Sequence, residues 1–129
     1  MKTFLHVGCG PKRKDQTTRG FNSTDWQELR LDIDQSVAPD IVGTMTDMSA
    51  VADASVDALF SSHNIEHLYM AHRCGFTQKV LSGTLQASGF AAVAATRREH
   101  PYYDLWALAT KAALDEAAVR VLAAAHFPG

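Results

Sequence analysis

The sequence has few cysteines and no excess of charge of either sign, and each shortage excludes a class of protein. Its 129 residues include two cysteines, Cys9 and Cys74, in unrelated contexts without a CxxC spacing. A disulfide framework is therefore not expected, and a reducing, cytoplasmic compartment fits better. The formal net charge is -2, which argues against nucleic-acid binding through bulk positive charge.

Long apolar runs are also missing. No stretch approaches the roughly 18 consecutive apolar residues of a membrane-spanning helix. The start, MKTFLHVGCG, ends its short apolar run in glycines and lacks the long apolar region and cleavage site of a signal peptide. With 47% hydrophobic and 20% charged residues, the composition is that of a soluble globular protein. We therefore expect one soluble, cytoplasmic domain over residues 1–129, with no membrane segment.

The pattern of apolar residues predicts an α/β fold. Short apolar segments bounded by turn residues predict strands, and a 3.6-residue period or a capping residue predicts helices. The predicted strands are Thr3–Val7, Glu28–Ile33, Asp40–Val42, Val56–Ser61, Phe90–Thr96 and Asp104–Ala109, and the predicted helices are 64–72, 77–88 and 111–126. Residues 12–25 are polar without helical period and are expected to be mostly loop. We expect a mainly parallel sheet with an antiparallel C-terminal hairpin.

Gly8 and Gly10 follow the first strand directly, in FLHVGCGPKRK. A G-x-G alone is weak evidence, because many turns use glycine only for its positive φ. The missing third glycine argues against a dinucleotide, whose pyrophosphate and helix packing use it. A nucleoside ligand without pyrophosphate does not need the third glycine. It needs glycines that let the backbone approach the ligand closely, and a carboxylate on the next strand for the ribose hydroxyls. Asp32, about twenty residues on, stands where that acid is expected.

Other acids offer alternatives. Asp34 is a second candidate for the ribose, and both Asp32 and Asp34 could instead cap the end of their strand. A third acid, Asp47, follows the third short strand, where it could accept from an adenine amino group while Met48 packs on the ring. The alternative for Asp47 is a cap for the turn that follows.

Taken in order, these features resemble one known family. The stretches LHVGCGP, RLDID, PDIVGTMTDMSAV and VDALFSSHNIEHL are similar to class I S-adenosylmethionine-dependent methyltransferases, over Phe4 to Leu68. The likeness is greatest to a bacterial branch with a short, polar first connection and an HxxEHL ending after strand four. The resemblance implies a Rossmann-like methyltransferase sheet, S-adenosylmethionine as the cofactor and an unknown methyl acceptor. Methyl transfer from a sulfonium needs mainly positioning, and no metal is expected.

The resemblance also implies which residues bind the cofactor. Gly8 and Gly10, with Cys9 between them, would pass close to its methionine portion, and Asp32, followed by Ile33, would hold the ribose. Asp47 with Met48 would read the adenine, and His63 would face the methyl-transfer region. The implied cofactor-binding residues are thus Gly8, Cys9, Gly10, Asp32, Ile33, Asp47, Met48 and His63.

The family pattern is interrupted after Leu68. Residues 75–129 resemble the closing helix-hairpin-helix unit of the same family, so residues 1–68 would be the cofactor-binding half of a shortened domain. The strand-five and acceptor segment between them is absent from the sequence. Exposed strand edges invite pairing between copies, and we therefore expect a homodimer, with exchange of elements as one route. A non-catalytic remnant that binds cofactor or a partner is the alternative function.

A competing motif lies in the same region. His63, Glu66 and His67 match H-x-x-E-H, the inverted zinc-peptidase pattern. On a helix the two histidines would lie one turn apart, with the glutamate as base and Glu99 or Glu116 as third ligand. The motif begins at the end of a strand, so the two rings need not converge, and the peptidase remains a distant alternative.

Overall fold

A parallel four-stranded sheet and an antiparallel hairpin form the two sheets of this computed structural model, which describes residues 1–62 and 76–129. The elements in chain order are β1 (Lys2–Val7), β2 (Trp26–Asp32), β3 (Ile41–Val42), β4 (Ala58–Ser61), α1 (Gln78–Ala87), β5 (Ala92–Arg97), β6 (Leu105–Thr110) and α2 (Glu116–His126). The predicted α/β class is confirmed. The chain divides into two compact units, Met1–His72 and Arg73–Gly129, which are described separately below.

The sheet of the first unit has the strand order β3-β2-β1-β4, with every neighbouring pair parallel. Strand β1 is central: Val7 at its end is level with Leu31 of β2 and with Ser61 of β4. The strands β1, β2 and β4 therefore finish at the same edge of the sheet. The predicted strands are confirmed, with ends displaced by one or two residues.

Each face of this sheet has its own core. Leu5, Val7 and Leu31 form a buried aliphatic cluster on one face. On the other face, Phe4 stacks on Phe21 at a ring-centroid distance of 4.3 Å. The segment VDALFS is nearly continuous in apolar character and predicts a strand buried on both faces, and this prediction is wrong. β4 lies at the sheet edge in the described chain, and its Leu59 is 52% exposed.

The connections within the first unit hold no α-helix across residues 8–57. The first connection contains one 3-10 turn, Lys14–Gln16, which confirms the prediction that residues 12–25 are mostly loop. Its Phe21 covers the central strand by contacting Phe4 and, edge-on at 5.0 Å, Trp26. An aromatic side chain from a loop thus occupies the place that a crossover helix takes in most parallel sheets.

The second unit packs two helices on a hairpin. Strands β5 and β6 pair from Ala92↔Thr110 to Arg97↔Leu105, and both helices pack on β5. Helix α1 begins as predicted, because the Thr77 side chain accepts from the backbone N–H of Val80. Helix α2 begins later than predicted.

The later start of α2 has a local cause. The Asp115 carboxylate accepts the N–H of Ala118 at 2.8 Å, so the helix begins at Glu116, five residues after the predicted start at Lys111. The predicted helix over 64–72 lies outside the described residues. None of the helices that the structure describes is long and apolar enough to cross a membrane.

Candidate functional site

The loop after β1 needs both of its glycines for backbone reasons. Gly8 has φ 62° and Gly10 has φ 53°, in the left-handed region that glycine adopts without the steric cost of a Cβ. The N–H groups of Gly8 and Cys9 both donate to the carbonyl oxygen of Leu31, at 2.8 and 3.2 Å. The loop is therefore fastened to the end of β2.

The carboxylate of Asp32 bonds to this loop and to the chain that follows β2. Its Oδ2 accepts the backbone N–H of Gly10 at 2.7 Å, and its Oδ1 accepts that of Asp34 at 2.8 Å. A carboxylate offers about four lone-pair sites, so both oxygens keep acceptor capacity for a ligand. The two backbone bonds hold the group in one orientation at the carboxyl end of β2.

The same loop is a poor cradle for phosphate. Besides the N–H groups of residues 8–10, that of Lys12 is also engaged, since it donates to the Cys9 carbonyl at 3.2 Å, and Pro11 has none. Between β1 and β2 the fully described chain forms no α-helix whose N-terminus could receive an anion. The loop thus lacks both features that hold a dinucleotide pyrophosphate.

The remaining predicted residues are placed in different ways. Cys9 is 2% exposed, and burial raises the pKa of its thiol, in agreement with a small packed side chain rather than a nucleophile. Ile33, next to Asp32, is 54% exposed and leaves an apolar surface beside the carboxylate. His63, Glu66 and His67 lie outside the described residues.

Asp47 caps its own turn, and Met48 packs against the core of the sheet. Asp47 accepts the N–H of Ser49 at 3.1 Å, and hydrogen bonds from Ser49 hold the pKa of this carboxyl below its usual value. The alternative interpretation of Asp47 as a turn cap is thus the one its hydrogen bond matches. Met48 packs against the cluster of Leu5, Val7 and Leu31. Its side chain belongs at least in part to the core.

Arg30 is a buried group that the sequence analysis did not single out. It is 2% exposed, and its guanidinium donates to three carbonyl oxygens: Gly10 at 2.5 Å, Ala38 at 2.8 Å and Val37 at 3.2 Å. Its Nε is buried and has no hydrogen-bond partner among residues 1–62 and 76–129. The signal was present in ELRLD, where Arg30 and Asp32 are two residues apart and therefore share a face of the strand.

A second buried polar group lies one residue before the end of β1. His6 Nδ1 is 2.7 Å from Glu28 Oε1, and Glu28 Oε2 accepts the N–H of Lys14 at 3.0 Å. Burial lowers the pKa of His6, although the bond to Glu28 opposes this. The pair joins β1, β2 and the loop between them.

The second unit has an open cavity of about 400 Å³. Its lining includes Phe76, Lys79, Arg97 and Tyr103, two aromatic rings and two cations. No group of three or more His, Cys, Asp or Glu side chains that could hold a metal ion occurs within residues 1–62 and 76–129. Comparisons with protein families, curated proteins and solved structures gave no match.

Proposed function

We propose that the chain binds S-adenosylmethionine at the carboxyl ends of β1 and β2 and is a methyltransferase of class I type. The observation that carries the proposal is the Asp32 carboxylate, held 2.7 Å from the Gly10 N–H with acceptor capacity to spare. A carboxylate oriented in this way can accept both hydroxyls of a ribose. The resemblance of Phe4 to Leu68 to this family supplies the identity of the nucleoside.

The topology supports a ligand at this place. In open parallel sheets, ligands bind outside the carboxyl ends of the strands, where the strand order reverses. In the order β3-β2-β1-β4 that reversal lies between β1 and β4. Gly8 follows β1 directly and Ser61 ends β4, so the glycine loop stands at the reversal.

The hydrogen bonds of the loop favour a sulfonium nucleoside over a dinucleotide. S-adenosylmethionine has a ribose but no phosphate, so it needs neither free loop N–H groups nor a helix N-terminus. The sequence argument that two glycines suffice is consistent with this geometry. Methyl transfer then requires that acceptor and methyl group be held in line, with a base only if the acceptor must lose a proton.

Calorimetric titration with S-adenosylmethionine, S-adenosylhomocysteine and NADH tests the proposal. We expect the first two to bind and NADH not to bind. Asp32→Ala is expected to weaken both by about tenfold or more, the effect of losing hydrogen bonds to a charged group. Asp53→Ala removes the same charge from an exposed position of the same unit and should bind like the wild type. No binding by the wild-type chain would defeat the proposal.

Turnover separates an enzyme from a cofactor-binding module. We expect S-adenosylhomocysteine to accumulate when the chain and S-adenosylmethionine are incubated with a small-molecule extract as a source of acceptors. Binding without any such product would instead favour the non-catalytic alternative. The shortened form of the family pattern makes this measurement necessary.

We also propose that the chain is a homodimer. Within the described chain, β4 pairs only with β1, and its half-exposed Leu59 leaves an apolar edge that invites pairing with a second copy. Light scattering at micromolar concentration should give twice the chain mass, 14.0 kDa. A mass equal to one chain would contradict the dimer.

A further inference from the structure

We propose that Arg30 is a positioning residue, which holds the glycine loop and, through it, Asp32 in the conformation that receives the ligand. The inference rests on the function proposed above for the identity of the ligand. Its structural basis is separate: Arg30 and Asp32 lie on one face of β2 and together hold both backbone groups of Gly10. Asp32 accepts the Gly10 N–H, and Arg30 donates to the Gly10 carbonyl.

The same two side chains also hold a second segment. Asp32 accepts the N–H of Asp34, and Arg30 donates to the carbonyls of Val37 and Ala38. This turn, residues 34–38, follows β2, just as the glycine loop follows β1. Asp32 as the acceptor and Arg30 as the donor therefore bridge the same two segments. Neither segment can shift without breaking its bonds to both side chains.

The free-energy cost of burying Arg30 indicates that its hydrogen bonds to the three carbonyl oxygens have a structural role. Among the described residues, no carboxylate lies within ion-pair distance of its guanidinium, and its Nε has no partner. A buried charge and an unsatisfied donor are both unfavourable. An apolar side chain of similar size would avoid both costs and would leave three carbonyls without this donor. The residue present satisfies those carbonyls.

The thiol of Cys9 provides a reporter that does not depend on any ligand. Cys9 lies between the two glycines and is 2% exposed, so a thiol reagent reaches it only when the loop opens. Cys74, the other cysteine, is removed by Cys74→Ser. In that background we expect Arg30→Met to raise the rate of Cys9 modification by about tenfold, the factor expected for loss of charge-assisted hydrogen bonds.

The sign of this change distinguishes opening from chemistry. Burial raises the pKa of Cys9, and the Arg30 charge opposes that rise. If the loop stayed closed, removal of the cation would raise the pKa further and slow the reaction, since the thiolate is the reactive form. Faster modification therefore reports opening of the loop.

A matched control separates positioning from loss of stability. Phe4→Leu weakens the adjacent core, where Phe4 is fully buried, without touching the bridge. At temperatures chosen to give equal global stability, Arg30→Met should show faster Cys9 modification and at least tenfold weaker S-adenosylmethionine binding than Phe4→Leu. Arg30→Lys keeps the charge but offers one ammonium to carbonyls on two segments and should be intermediate in both. If Arg30→Met does not fold, Arg30→Lys is compared with Phe4→Leu instead.

Two results would overturn the role of Arg30. One is a Cys9 modification rate in the Arg30 variant that equals the Phe4→Leu rate at matched stability. The other is unchanged S-adenosylmethionine affinity, within twofold, in a folded Arg30→Met chain. If the wild type does not bind S-adenosylmethionine, the proposed function fails, and the modification rates alone decide whether Arg30 holds the loop.

Discussion

The two units of this chain differ in how deeply their apolar side chains are buried. Every fully buried residue of the described chain belongs to the first unit, including Phe4, Leu5 and Leu31. In residues 76–129 no residue is more than partly buried. The central strand β1 reads KTFLHV, whereas β5 of the second unit reads AVAATR. Alanine side chains hide little apolar area, so the hairpin cannot form as dense a core.

The polar groups of the two units also differ in burial: the first unit has buried charged side chains and the second has none among its described residues. In the first unit, buried Arg30 and His6 bond to other segments of the sheet and its loops. In the second unit the pair of Glu116 with Arg120 is local and exposed to solvent. The pair of Arg98 with Asp104 lies within one hairpin, and the long-range bond from Gln78 to the Ala95 carbonyl is exposed. Long-range polar bonds fix the geometry of a site, whereas local ones fix only an element. The candidate cofactor site lies where the buried long-range bonds are.

The largest expected effect comes from the same deletion made in each unit. Leu5→Ala should lower the free energy of unfolding by about 2–5 kcal/mol, because the side chain is fully buried in the aliphatic cluster. Leu108→Ala, in the half-buried hairpin, should cost about 1 kcal/mol, because less apolar area returns to water. Urea denaturation followed by fluorescence measures both.

Each unit carries one tryptophan, which makes the comparison specific. Trp106→Phe leaves Trp26 as the probe of the first unit, and Trp26→Phe leaves Trp106 in β6 as the probe of the second. Equal losses for the two leucine deletions, each read by the probe of its own unit, would contradict the difference in core density.

A smaller effect is expected from a helix cap. Asp115 accepts the N–H of Ala118 at the start of α2, and Asp115→Ala should cost about 1 kcal/mol, the usual loss for such a cap. Asp115→Asn keeps an acceptor and should cost little. Because the bond is local, the Trp106 probe should register the change and the Trp26 probe should not. A loss seen equally by both probes would show that the units unfold as one.

Some features of the fold and of the candidate site can be predicted from the sequence, and others cannot. The strands follow from apolar runs and turn residues, which are local signals, and the spacing of acid and glycine singles out Asp32 and Gly10 without predicting the bond between them. The partners of Arg30 do not follow, because they depend on where two loops return in space. The start of α2 does not follow either, because alanine-rich sequence favours helix on both sides of Asp115. The exposure of β4 could not be predicted, because it depends on the position of the strand at the edge of the sheet, and that position is set by the order of all the strands.

The smallest expected effect is a loss of stability in mild acid. Burial lowers the pKa of His6 in the first unit and of His126 in the second, below the usual 6.5. Below pH 6.5 the unfolded chain therefore takes up protons that the folded chain does not, and the free energy of unfolding falls as pH falls. This contribution is fully present above pH 6.5 and is lost towards the lower folded pKa of each group.

Replacing each histidine assigns the effect to its unit. His6→Gln keeps a donor for Glu28 and should flatten the dependence between about pH 6.5 and 5, above the range where most carboxylates titrate, as read by the Trp26 probe. His126→Gln should do the same for the Trp106 probe. An unchanged slope in His6→Gln would mean that the Glu28 carboxylate compensates the burial of the ring in full. The buried polar groups of the first unit would then fix geometry without making the fold sensitive to pH.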